Sequence, residues 1–419
     1  MTRVSDSPAD SEPTPAATEE PPPLPALTLR DGLPDLIDTP EGLAAYVDRL
    51  TAGTGPIAID TERASGYRYG QSAYLIQIRR EGAGTALIDP RAIPGLPGLS
   101  EALLGPEWIL HAASQDLPCL AELELAPASL FDTELAGRLL GMQRVGLGPM
   151  VAAVLGMSLA KGHGAADWSR RPLPEAWLEY AALDVEVLIE LREVLRARLE
   201  EDGKLGWAEQ EFAAVREAPP AAPRVDPWRR TSGIHKIRSR RGLALVEHLW
   251  FAREDLARDK DTAPGRLLPD SSIAAVGMAQ VRDVAGLREL KDFHGRGAAR
   301  YQKVWGAALR EAWAVPEAEL PPKATRGDGP PPPRAWAQRD PAAAARLDRA
   351  RSALQERAGD LNLPVENLLT PDLVRRLMWE PPQEPGSVAQ RLLDSGARPW
   401  QVELTAQVLE DAIWPPDSP

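Results

Sequence analysis

Cysteine is almost absent from this 419-residue chain. Cys119 stands alone, which excludes an intramolecular disulfide and suits a reducing compartment; its place on an apolar helical face points to packing. Aromatic residues make up only 5% of the sequence. Long hydrophobic runs are missing too: the stretch Pro149 to Ala160 is too short to span a bilayer. The N-terminus carries acid and proline where a secretory signal would carry basic and then apolar residues, so a soluble, cytoplasmic protein is expected. Of five histidines, His235, His248 and His294 are too far apart to form a zinc pattern. His111 and Ser114 lack the nucleophile elbow and third partner of a serine hydrolase.

The net charge is −13, which taken as a whole argues against a polyanionic partner. The distribution says otherwise: residues 1–223 carry −16, residues 224–311 carry +7 and residues 312–419 carry −4. The middle segment alone is basic. The 42 prolines are concentrated in a few stretches, which predicts globular units joined by stiff linkers.

Residues 1–25, rich in Pro, Ser, Thr, Ala and Glu without apolar periodicity, are expected to be a disordered tail. Thr39-Pro40-Glu41 opens a helix with Thr at the N-cap and Pro at the first position. Strand patterns follow at Ile57–Glu62, Ser72–Ile78, Thr85–Ile88 and Trp108–Leu110. Helical patterns occupy about 115–124, 133–141 and 147–155, then one long helix from Pro174 to about Glu201. Strands followed by alternating strand and helix predict an α/β domain with a mixed sheet over 26–217. A linker at 218–233 leads to a helical segment at 234–315. A second, Pro-rich linker at 316–334 opens another helical segment at 335–419, a candidate diverged repeat of the first.

The stretch Ile57-Ala58-Ile59-Asp60-Thr61-Glu62 is expected to be a short buried strand ending in two acids on one face. Two carboxylates about 4 Å apart at an effective dielectric of about 20 repel by about 4 kcal/mol, so such a pair shares a proton, faces water or holds a cation. Asp116 follows a strand and opens a helix. Tyr180 and Asp184 are four apart, hence on one helical face, and that face continues through Val187, Leu188 and Leu191. An Asp on a buried stripe needs a partner.

Asp60-Thr61-Glu62, Gln115-Asp116-Leu117 and Tyr180-x-x-x-Asp184 resemble, in order, the three motifs of the DEDD exonuclease superfamily, tyrosine subgroup. The segment Lys161 to Leu173, with Asp167-Trp168 and Arg171-Pro172-Leu173, is similar to that of bacterial ribonuclease D. Arg253 to Asp270 resembles the helicase-and-ribonuclease-D C-terminal (HRDC) domain, and residues from about 330 to 415 look like a second, diverged copy. The resemblance implies a ribonuclease H-like α/β exonuclease domain with two all-α HRDC-type domains after it. It also implies a two-metal, 3′→5′ exoribonuclease that releases mononucleotides from RNA 3′ ends, with tRNA precursors among its substrates.

Two Mg²⁺ or Mn²⁺ ions suit carboxylate ligands and phosphodiester hydrolysis. By resemblance, Asp60 bridges both ions, Glu62 and Asp184 complete the site that generates hydroxide, Asp116 holds the second ion, and Tyr180 orients the attacking water. His163 and its flanking glycines depart from the usual pattern and are assigned no catalytic role. In the basic segment, Arg229, Arg230, Lys236, Arg238, Arg240, Arg241, Arg296 and Arg300 are the candidates for RNA contact, the last two beside glycines that could bring backbone N–H groups to a phosphate. A DNA exonuclease on the same core and an RNA-binding adaptor without cleavage are the alternatives.

Overall fold

The computed structural model describes residues 23–160, 162–323 and 329–415; the first 22 residues of the expected tail, Lys161 and part of the Pro-rich linker lie outside them. The first domain is built on a six-stranded sheet of order β1-β4-β3-β2-β5-β6. Its strands are β1 (Leu36–Ile37), β2 (Thr54–Arg63), β3 (Ala73–Glu81), β4 (Gly84–Ile88), β5 (Glu107–Leu110) and β6 (Ser129–Asp132). β2 runs antiparallel to β3 and β3 to β4, whereas β2–β5, β5–β6 and β1–β4 are parallel. The sheet is mixed, as the sequence predicts.

Among the described residues, eight α-helices complete this domain: α1 (Pro40–Ala52), α2 (Leu99–Leu103), α3 (Leu117–Ala121), α4 (Thr133–Leu139), α5 (Leu147–Leu155), α6 (Glu175–Glu186), α7 (Leu188–Glu201) and α8 (Leu205–Arg216). Thr39 caps α1, its Oγ1 accepting from the Gly42 N–H. The long helix expected from Pro174 to Glu201 is two helices, interrupted at Val187, whose φ −107° and ψ −7° depart from ideal helix values. Each half covers a different surface: α6 lies over β2, β3 and β4, while α7 packs on α4 and α5. Buried Glu186, at the end of α6, pairs with Arg79 of β3 at 3.1 Å and with Arg30 at 2.9 Å.

The second domain holds α9 (Arg240–Asp259), α10 (Pro264–Leu267), α11 (Asp270–Ala279), α12 (Val284–Glu289), α13 (Arg296–Arg300) and α14 (Gln302–Ala314). It has its own core of Leu245, Val246, Leu249, Ile273, Trp305 and Leu309. Trp228, within the stretch expected to be linker, is buried in that core. The third segment contributes α15 (Trp336–Arg339), α16 (Pro341–Asp360), α17 (Val365–Leu368), α18 (Pro371–Trp379), α19 (Val388–Asp394) and α20 (Pro399–Ile413).

The third segment does not keep a separate core. Trp336, Leu347, Leu354, Leu368 and Trp400 join one continuous apolar cluster with Phe131, Leu139, Leu195 and Phe212 of the first domain. Trp400 stacks on Trp207 at 5.0 Å and its indole N–H donates to Glu211 at 3.0 Å. Buried Lys204 donates to the carbonyls of Leu139 and Leu361, each at 2.8 Å, and so ties the two segments together. Among the described residues, no helix is long and apolar enough to cross a membrane.

Candidate active site

The centre of the sheet places the carboxylates. β2 carries both acids near its end, with Asp60 opposite Gln77 and Glu62 opposite Leu75 on β3. The strand expected over Ile57–Glu62 is present and runs slightly further at both ends: the apolar run stops at Ile59 while the backbone ladder goes on, since pairing needs only N–H and C=O groups. α6 crosses the same face and presents Asp184. Asp60, Glu62 and Asp184 each offer an oxygen, and these oxygens all lie within 4.8 Å of one another. Carboxylate oxygens at that separation suit a hard divalent cation, and without one they repel.

Asp116 stands beside this cluster rather than in it. Strand alternation turns Thr61 away from its acidic neighbours, and its hydroxyl donates to Asp116 Oδ1 at 2.7 Å. Arg63 lies 4.0 Å from the same oxygen and donates to the Gln115 carbonyl at 2.7 Å. Cys119 is buried, its Sγ 3.1 Å from the Asp116 carbonyl oxygen, in the packing place expected of it.

Burial and like charge act together on these acids. Burial is the first cause holding the Asp60 carboxyl well above the ordinary range, and Asp116, Asp184 and Glu62 add to it. Glu62 is pushed up to about 9, mainly by burial and then by Asp184 and Asp116. Asp184 rises to about 7 through burial, opposed by the hydrogen bond from Tyr180. Burial also raises Asp116, against the Thr61 hydrogen bond and the Arg63 charge. The Tyr180 phenol is raised, first by burial and then by Asp184 and Glu62, and its hydroxyl donates a hydrogen bond to Asp184.

A clasp seats Tyr180. The backbone of Gly162 and Gly164 passes so close that a Cβ would stand 3.4 Å from the Tyr180 ring and 3.7 Å from its hydroxyl, respectively. The His163 ring meets Tyr180 edge-on at 5.8 Å and lies 5.7 Å from Trp177. Downstream, Arg171 donates to Asp89 at 2.6 Å and to the carbonyls of Tyr74 and Trp168, pinning the loop to the sheet just before α6 begins. The Asp-Trp-x-x-Arg-Pro-Leu pattern is thus a structural latch for the helix that carries Tyr180 and Asp184. Lys161, at the head of that pattern, is outside the described residues.

Asp60, Tyr180 and Asp184 open into a cleft of about 810 Å³, lined also by Leu24, Leu147, Leu159 and Arg144. On the other side, Glu62, Arg63, Gln115 and Ser65 line a hollow of about 390 Å³. His111 lines the cleft too; burial lowers its pKa to about 4, and its Nδ1 lies 2.9 Å from the Thr133 hydroxyl. Arg144 and Arg63 belong to no sequence motif, and Thr61 is only the middle position of one; their contacts become visible only through this geometry.

Residues 34–200 match the family model described as 3′-5′ exonuclease, residues 242–309 match the HRDC domain, and residues 329–413 match a 3′ to 5′ exonuclease C-terminal domain. The chain is 34% identical over 316 residues to ribonuclease D of Acidiphilium cryptum, covering 71% of this chain and 77% of that one. It belongs to the ribonuclease D family. Ribonuclease D of Gluconacetobacter diazotrophicus is 33% identical over 323 residues, 73% of this chain and 79% of that one. Among solved structures, Escherichia coli RNase D, described as an exoribonuclease involved in structured RNA processing, superposes with a TM-score of 0.66 at 25% identity, over 91% of this chain and 98% of that one. A protein from Bifidobacterium adolescentis reaches 0.86 at 38% identity, over 93% and 100% of the two chains. The activity is that of a metal-dependent 3′-5′ exoribonuclease. The acidic triad fits the divalent ions such a nuclease domain uses.

The eight basic candidates divide into two groups. Arg229 pairs with Asp226 at 3.0 Å and lies 4.2 Å over the Trp228 ring. Arg240 donates to the Leu320 and Ala318 carbonyls, and Arg241 donates to the Ala312 carbonyl at 2.7 Å. These three clamp the ends of their own domain. Arg230, Lys236, Arg238, Arg296 and Arg300 are exposed. Gly297 serves packing, since a Cβ there would meet the Leu267 carbonyl at 2.1 Å.

Proposed function

We propose that Asp60, Glu62, Asp116, Tyr180 and Asp184 form the catalytic set, and that the substrate is RNA with a free 3′ end, structured RNAs such as tRNA precursors included. The single observation that carries this is the convergence of three carboxylates from β2 and α6, two of which, Asp60 and Asp184, line the cleft. Asp60, Glu62 and Asp184 would hold one or both cations, with Asp116 contributing from beside them. Bound there, the cations relieve charge on the scissile phosphate and favour attack by water. Tyr180, donating to Asp184 and seated by Gly162 and His163, positions the attacking water. The apolar lining from Leu24, Leu147 and Leu159 receives the terminal nucleoside, and Arg144 meets its backbone.

The exposed Arg230, Lys236, Arg238, Arg296 and Arg300 extend the path for longer RNA along the HRDC domain. The third segment is a diverged HRDC-type copy: its helices of 20, 4 and 9 residues follow the same succession as the 20, 4 and 10 of the HRDC domain. Digestion of 3′-labelled and 5′-labelled RNA with Mg²⁺, with Mn²⁺ and with chelator tests the reading. It expects immediate release of labelled mononucleotide from the 3′ end, progressive shortening of the 5′-labelled strand, and neither with chelator. Internal cuts, or full turnover by Asp184→Asn, would refute it.

A further inference from the structure

Gln77 lies in the middle of β3 and is fully buried, yet neither its Nε2 nor its Oε1 has a hydrogen-bond partner. A buried amide without partners is costly, so a native site that keeps one calls for an explanation. Apolar contacts do not supply it. On one side its cross-strand neighbour is Leu87 of β4, and two residues back along its own strand is Leu75. Two residues on is Arg79, which brings donors only and is committed to Glu186 at 3.1 Å and Thr85 at 2.8 Å. The remaining lateral neighbour, directly across the antiparallel pair and on the same face of the sheet, is Asp60.

Asp60 has the complementary need. Its carboxylate accepts from the backbone N–H of Thr61 and otherwise faces other acids. A ligand carboxylate needs one oxygen directed at the ion and the other restrained, and the group that restrains it is commonly an amide or N–H donor. Residues directly opposite in an antiparallel pair have Cβ atoms about 4.5–5.5 Å apart, a span that a glutamine side chain covers.

We propose that Gln77 is a positioning residue for Asp60: when Asp60 takes up a divalent cation, the Gln77 Nε2–H donates to its carboxylate and fixes which oxygen faces the ion. This rests on the reading of Asp60 as a metal ligand. It gives the unpartnered amide a partner in the loaded state, and it extends the site by one residue that no acidic motif contains.

The test is Mn²⁺ binding by calorimetry to the full chain, wild type beside Asp60→Asn and Gln77→Met, with melting in chelator measured in parallel. Gln77→Met is expected to bind Mn²⁺ about tenfold more weakly, to melt in chelator no lower than wild type, and to lose kcat with KM for a short RNA unchanged. Wild-type Mn²⁺ affinity in Gln77→Met would overturn the proposal, as would a loss of affinity matched by a lower melting point in chelator. If the wild type itself binds no Mn²⁺, or Asp60→Asn binds it as well as wild type, the underlying metal reading fails instead. Should Gln77→Met not fold, the side-chain amide signal of Gln77 in the ¹⁵N-labelled wild type decides. A Mg²⁺-dependent shift supports the contact, and an unmoved signal overturns it.

Discussion

The Arg266 guanidinium lies 4.0 Å over the Tyr67 ring and donates to the Gly66 carbonyl at 2.7 Å, so the HRDC domain grips the loop that leaves β2 directly after the acidic pair. Around this contact, the Ala263 N–H donates to the Tyr67 carbonyl at 3.0 Å, and Asp261 accepts from the Tyr69 N–H at 3.3 Å. Because the HRDC domain has its own core, this loop is a main place where it can be released without unfolding. Arg266→Ala combined with Tyr67→Ala removes about 1–3 kcal/mol of stacking and charged hydrogen bonding. Calorimetry should then show the HRDC domain melting as a separate, earlier transition.

Tyr180 acts as a donor whose phenol stays protonated. Tyr180→Phe keeps the ring that packs under Gly162 and removes the hydroxyl, so the fold and RNA binding persist while kcat falls by about 10²-fold. Steady-state kinetics on a short oligonucleotide checks this: a loss expressed mainly in KM would contradict a water-positioning role.

The carboxylates make cation-free stability depend on pH in a definite direction. Glu62 and Asp184 titrate at about 9 and about 7 in the folded chain, above their ordinary values of 4.5 and 3.8. The folded state therefore binds more protons than the unfolded state, and stability falls as pH rises from the ordinary carboxyl range toward 9. Melting in chelator should decline across this window. Mg²⁺ should remove the decline, and Asp184→Asn should flatten it while abolishing cleavage.

The basic residues should separate by partner. Arg296→Ala with Arg300→Ala is expected to weaken long-RNA binding and reduce its salt slope by roughly 2, sparing a short oligonucleotide. Arg240→Ala should do neither and should instead lower the melting temperature, because its guanidinium serves the carbonyls of Ala318 and Leu320. Filter binding at several salt concentrations, alongside melting, distinguishes the two.

Much of the fold was legible because it follows from local rules. Alternation and β-branched runs located β3, β4 and β5, and Thr39-Pro40 located the start of α1. β6 was not, since only Leu130 and Phe131 of its four residues carry a strand signal. The break at Val187 was hidden by an apolar stripe that runs unbroken across both helices. At the site, the order Asp60, Glu62, Asp116, Tyr180, Asp184 pointed to residues of which Asp60, Glu62 and Asp184 come together, but not to their arrangement. Whether Asp116 joins the others depends on the Thr61 hydroxyl, and whether an arginine meets solvent or a carbonyl depends on which helix end lies beside it. No spacing rule contains either fact, and the same holds for the buried amide of Gln77.

The shared interior of the first and third segments bears on how the enzyme comes into being. As the chain leaves the ribosome, Trp207 and Phe212 must wait through the whole HRDC domain for Trp400 and the final helix to cover them. The nuclease interior is therefore completed only once the third segment has been made, and a product truncated before it would emerge with an aggregation-prone flank beside an otherwise assembled cutting centre.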